Sequence, residues 1–130
     1  MAGETVPMLQ AIERPHLILV EGRDDEVLFR ALLRHVERAD VEVRSHQGKD
    51  GLRRFLDGLR FADGFGDLST LTVVRDADSD CKAALQSVGD ALSAYGFGCP
   101  AEPLALTGAA PQVAAIIMPC GEKTGSLENL

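Results

Sequence analysis

Three carboxylates stand at positions where chemistry is more economical than structure as an explanation. Glu21 follows the apolar run Leu17-Ile18-Leu19-Val20 and precedes Gly22. Asp76 and Asp78 follow a second run of the same kind, Leu71-Thr72-Val73-Val74-Arg75. Each run reads as a buried strand that ends in acid. In an open parallel sheet, ligands sit outside the carboxyl ends of the strands. Two neighbouring strands of this kind would bring the three acids to one edge. Carboxylates gathered there repel: at about 4 Å and an effective dielectric of about 20, each charged pair costs about 4 kcal/mol. Such a cluster needs a proton or a cation. Mg2+ suits it, being hard, oxygen-seeking and ready to keep waters that a phosphate oxygen can replace; Mn2+ is the substitute. The Asp-x-Asp spacing sets Asp76 and Asp78 on the same side of an extended segment. The candidate metal set is therefore Glu21, Asp76, Asp78 and Asp80, with Asp25 and Glu128 as accessory carboxylates.

Acidic capping is the competing account. Asp78 or Asp80 can cap the helix that follows them, and Asp24 or Asp25 the helix after Gly22. Capping and function stay level for Asp24 and Asp25. Capping leaves Glu21 and Asp76, directly after apolar runs, without a purpose. Glu128 can equally be a first-turn acid favoured by a helix dipole. Lys49 is the candidate for stabilising charge in a transition state. His16, His35 and His46 share no ligand spacing; His46, before Gln47-Gly48-Lys49, offers a phosphate contact, but an exposed loop histidine is the expectation.

The elements that must position these groups are legible as periodicity. Residues 1–15 form a lead-in, and residues 16–130 the domain. The run 16–20 is continuously apolar, as in a strand covered on both faces. A helix to about Arg38 follows, with Val27, Leu28, Ala31, Leu32 and His35/Val36 on its inward face. Val41–Ser45 alternates and reads as a strand nearer an edge. Gln47–Gly51 reads as a turn, and Leu52, Phe55, Leu56 and Leu59 mark the next helix. The third strand is 70–75, and the third helix runs from about Cys81 to Tyr95. Leu104-Ala105-Leu106 reads as a short strand and turn, and Val113–Met118 as the fourth long strand. Ser126 looks like the cap of a further helix, begun at Leu127, that the chain does not complete. Strand–helix alternation of this kind implies βαβ units and a single three-layer α/β domain, with a mainly parallel sheet of about four strands between helices.

A length of 130 residues allows one domain with a real core. The net charge of −7 argues against nucleic-acid binding by the whole surface. The charge is uneven, with five bases against two acids from Arg44 to Arg60. A basic flank beside an acidic centre suits a metal-bridged phosphate ligand. Three widely spaced cysteines imply neither a disulfide framework nor a zinc site. No apolar run approaches the length of a membrane span, and the N-terminal residues lack a signal-peptide pattern, so a cytoplasmic protein is expected.

Val20-Glu21-Gly22-Arg23-Asp24-Asp25 and, two strands later, Val74-Arg75-Asp76-Ala77-Asp78 resemble the signature of the Toprim domain. That domain is shared by type IA and type II topoisomerases, bacterial primases, OLD-family nucleases and small recombination nucleases. Lys49-Asp50 after a glycine, Met118-Pro119, and Gly125-Ser126-Leu127-Glu128 look more narrowly like a group of uncharacterised stand-alone Toprim-like proteins, the DUF3226 type. The resemblance implies a Toprim/Rossmann-like fold, Glu21 as acid/base or metal ligand, and Asp76 and Asp78 holding Mg2+. It implies cleavage of nucleic-acid phosphodiesters, DNA ahead of RNA, with an ATPase or other protein as a further partner and no membrane. No separate domain with a nucleophilic tyrosine and no zinc module is visible, which leaves hydrolysis by water or a non-catalytic metal- and nucleic-acid-binding subunit. A receiver-type phosphoacceptor is the runner-up: it too is a parallel α/β fold, with an aspartate, here Asp76, after the third strand. It needs a lysine directly after the last strand, and Lys123 comes late.

Overall fold

The computed structural model describes residues 9–77, 80–102 and 104–118, apart from the side chains of residues 49 and 50. The elements run β1 (His16–Val20), α1 (Arg23–His35), β2 (Val41–Ser45), α2 (Lys49–Leu59), a short 3-10 turn (Phe65–Asp67), β3 (Thr70–Asp76), α3 (Cys81–Ala94) and β4 (Gln112–Met118). The four strands form one all-parallel sheet in the order β2-β1-β3-β4. The α/β class expected from the alternation of elements is thus what the chain adopts, with β2 at an edge.

Strand order and handedness together explain the layers. The chain moves from β1 outward to β2, then crosses back over β1 to β3 and on to β4. Right-handed crossovers place helices on opposite faces when the direction of travel reverses. Accordingly α2 and α3 cover one face and α1 the other. On the α2/α3 face, Leu17, Leu19, Leu71, Val73, Val113 and Ala115 pack against Leu52, Leu56, Leu59, Val88 and Leu92. Fully burying a leucine or valine side chain stabilises by about 1.5–3 kcal/mol, so this face dominates the fold. On the α1 face, buried Val20, Val43 and Val74 meet the half-buried Phe29 and Leu33.

The rotation of α1 differs from its expected one. Val27 is 61% exposed and Val36 59%, and Leu28 and Leu32 are exposed as well. The helix carries two apolar stripes, and the one that docks holds Phe29 and Leu33. Arg30 fixes that choice by donating from Nη2 to the Val43 carbonyl of the edge strand at 3.0 Å. The helix begins at Arg23, with Gly22 at its N-cap and no side-chain cap, so neither Asp24 nor Asp25 caps it.

Two further boundaries moved. The stretch read as a turn before Leu52 is already the first turn of α2, because Gln47 (φ 65°) and Gly48 (φ 90°) reverse the chain more tightly than expected. Residues 104–106 form no strand. Leu104 sits at φ 69°, and the segment meets β4 through a Leu104 N–H to Ala115 carbonyl bond of 2.8 Å and a single antiparallel bridge, Thr107 to Val113. Among the described residues no helix is long and apolar enough to cross a membrane.

Candidate functional site at the carboxyl edge of the sheet

The reversal of strand order at β1 has a geometric result. Helices leave β1 and β3 toward opposite faces, the arrangement in which open α/β sheets place ligands outside the carboxyl ends of the strands. Glu21 follows the end of β1, and Asp76 is the last residue of β3. The two strands pair directly, with Leu19 opposite Val73. Continuing that register by two residues sets Glu21 level with Arg75, and Asp76 one step further out. Glu21 is half-buried and Asp76 exposed. The structure therefore brings Glu21 and Asp76 to one edge, on adjacent strand ends.

Asp78 and Glu128 lie outside the described residues, as does the Lys49 side chain. Among the described residues, no three His, Cys, Asp or Glu side chains converge as a metal-holding group. Asp80 caps α3, where it accepts from the Ala83 N–H at 3.0 Å; this engages one of its two oxygens. Asp25 lies in the first turn of α1 with Asp24 and Glu26, where the helix dipole favours acid. Glu26 is paired with Arg30 at 2.6 Å.

His46 is the residue that sequence reasoning misplaced. It is 5% exposed, a buried polar side chain in the loop between β2 and α2. Its backbone N–H donates to the Val20 carbonyl at 2.9 Å, and the Gly48 N–H donates to the Glu21 carbonyl at 3.1 Å. The loop is thereby stitched to the end of β1. Gly51 closes it from the other side: a Cβ there would lie 1.7 Å from the His46 carbonyl oxygen. Imidazole Nδ1 lies 2.8 Å from the Gly48 carbonyl oxygen. A carbonyl only accepts, so Nδ1 carries the proton and Nε2 presents a lone pair. Nε2 is buried with no hydrogen-bond partner among the described residues. An unmet buried acceptor of this kind costs about 1–3 kcal/mol. Burial holds the imidazole pKa below its ordinary value; the Gly48 carbonyl and the Glu21 carboxylate oppose that shift, and the Arg75 guanidinium adds to it. Arg75 itself donates to Ser87 Oγ of α3 at 3.4 Å. His46, Glu21 and Arg75 thus form a row across the ends of β2, β1 and β3.

A separate cleft of about 330 Å³ lies along β2 and the C-terminal half of α1, away from the acidic edge. Arg14, Arg30, Arg34, Arg38 and Arg44 line it with Glu13 and Glu42. Most of that charge is already answered. Arg44 pairs with Glu42 at 2.5 Å, Arg38 with Asp40 at 2.8 Å and Arg30 with Glu26. Arg38 holds the Asp40 carboxyl down at a pKa of about 2. The cleft is a clamp between elements more than an open anion site. Its sequence signal, the four-residue spacing of Arg30, Arg34 and Arg38 through the end of α1 and just past it, lay outside the basic stretch singled out at 44–60.

The parallel sheet and the reversal of strand order at β1 define a doubly wound α/β protein. The family model described as "Protein of unknown function (DUF3226)" matches residues 15–130, and the chain belongs to that family. No curated protein and no solved structure matches the chain.

Proposed function

We propose that this protein is a Toprim-like, Mg2+-dependent enzyme that cleaves nucleic-acid phosphodiesters, DNA ahead of RNA. The observation that carries the reading is the direct pairing of β1 with β3, which sets Glu21 and Asp76 on adjacent strand ends at the point where the strand order reverses. The Glu21-Gly22 and Asp76-Ala77-Asp78 motifs, which resemble the Toprim signature, fall at those same two ends. The carboxylates at that edge, half-buried at Glu21 and exposed at Asp76, offer oxygen donors to a dication that keeps part of its water shell. Bound there, such an ion stabilises charge on the attacking and leaving oxygens of a phosphodiester. Glu21, Asp76 and Asp78 would hold it. Glu21 would in addition take the proton of an attacking water, and Lys49 would face the developing charge.

Two measurements test this. Mg2+ titrated into the wild type should bind, and into the Asp76→Asn/Asp78→Asn variant should not; equal binding in both removes the site. Purified protein incubated with nicked, linear and single-stranded DNA plus Mg2+ or Mn2+ should cleave at least one substrate. Binding without cleavage identifies a non-catalytic subunit that works with a partner such as an ATPase. A second reading, a phosphoacceptor module, is favoured by one observation, the exposed Asp76 at the end of the third strand in the order 2-1-3-4. Labelling of Asp76 by acetyl phosphate would select it.

A further inference from the structure

We infer that His46 supplies a nitrogen ligand, through Nε2, to a divalent cation held beside Glu21, so that the site takes a first-row transition-metal ion in preference to Mg2+. The inference rests on the reading of the carboxyl edge as a cation site and changes which cation it selects. Three features of the side chain carry it. The tautomer is set: the Nδ1 proton is committed to the Gly48 carbonyl at 2.8 Å, and Nε2 faces away from that bond with its lone pair. A ligating histidine is oriented in this way, its other ring nitrogen donating to a carbonyl or carboxylate. The ring is 5% exposed and Nε2 has no hydrogen-bond partner among the described residues, so solvent competes little for that lone pair. Finally, the loop is stitched to β1 on both sides of Glu21, by His46 N–H to the Val20 carbonyl and Gly48 N–H to the Glu21 carbonyl. The imidazole is thus held at the same strand end as the carboxylate.

The same tautomer excludes the obvious alternative. With its one proton committed, His46 has nothing to donate to a phosphate oxygen, so an anion is not its ligand. A neutral nitrogen beside carboxylate oxygens adds affinity for ions that accept imidazole and little for Mg2+, which prefers oxygen.

The test uses the full chain, with Mg2+, Mn2+ and Zn2+ as probes. In calorimetry the wild type should bind Mn2+ at least about tenfold more tightly than Mg2+, and electron spin-echo modulation of the Mn2+-loaded protein should show a coupled imidazole nitrogen. His46→Asn keeps an N–H for the Gly48 carbonyl and lacks Nε2. It should lose the nitrogen coupling and at least about tenfold in Mn2+ affinity, the lower end of what losing a partner one shell further out costs, while Mg2+ binding stays unchanged. Should the variant not fold, 15N spectra of the wild type decide the matter, because Zn2+ should shift the Nε2 resonance of His46 and leave those of His16 and His35 in place. Mn2+ bound without nitrogen coupling, and lost in Asp76→Asn, overturns the role of His46 and leaves the cation site standing. Nitrogen coupling in the wild type, with no cleavage of any DNA by the wild type, upholds His46 and removes the phosphodiester reading. No binding of either ion removes both.

Discussion

On one face of the sheet, Leu17, Leu19, Leu71, Val73 and Val113 are fully buried against equally buried leucines and valines of α2 and α3. On the other, Val20, Val43 and Val74 are covered by α1, which has no buried residue of its own. One face is a closed core, and the other is a lid held by Phe29, Leu33 and the Arg30 bond to Val43. Local stability follows buried apolar contact, so α1 should open before the rest of the domain does. The candidate site straddles the two. His46 and Arg75 belong to loops and strands tied to the firm face, whereas Glu21-Gly22 leads directly into α1.

Substitutions on the two faces would break or sharpen this contrast. Leu56→Ala, at a fully buried position of α2, should cost about 2–5 kcal/mol, read as a lower denaturant midpoint. Gly51→Ala forces a Cβ against the His46 carbonyl and should cost about 1–3 kcal/mol, with the damage centred on the loop between β2 and α2. Leu33→Ala on the α1 face should fall below the Leu56 value, at about 1–2 kcal/mol, and hydrogen exchange should show α1 opening without the sheet. A result for Leu33 equal to that for Leu56 would mean the two faces are energetically alike. A smaller effect should appear with pH. His46 binds its proton more weakly folded than unfolded, so its contribution is complete above the ordinary value of 6.5 and is lost as pH falls through 6.5 toward the lowered folded value. The drop in melting temperature between about pH 7.5 and about pH 5.5 should therefore be reduced in His46→Asn. Least of all, Leu28→Ser on the exposed stripe of α1 should change stability by no more than about 0.5 kcal/mol.

The layers were legible in the sequence because short unbroken apolar runs such as Leu17–Val20 and Val113–Met118, alternating with helical periods, fit strands covered on both sides. The period of α3 sets Ala84, Leu85, Val88, Ala91 and Leu92 inward; all but Leu85 are buried, and Leu85 is half-buried against the same core. The rotation of α1 was not legible, since two apolar stripes compete on one helix and a hydrogen bond to a distant strand, Arg30 to Val43, chooses between them. His46 escaped for a related reason. Its neighbours Gln47 and Gly48 are polar and turn-forming, and nothing local records that their positive φ angles fold the ring under the sheet edge. That β1 and β3 are neighbours is expected from the acids that end both runs, and the register bears it out; Asp78 lies outside the described residues.

The segment ahead of β1 was taken for a simple approach to the first strand, yet Ile12 is buried in the main core and Leu9 packs against it. Arg44 donates to the carbonyls of Gln10 and Ala11, and the Glu13 N–H donates to the Glu42 carboxylate at 2.8 Å. Anyone trimming the gene to begin at Pro15 would delete part of the hydrophobic interior and leave two charged side chains on the outermost strand without their anchor. The shortest fragment expected to keep this interior therefore starts no later than Leu9.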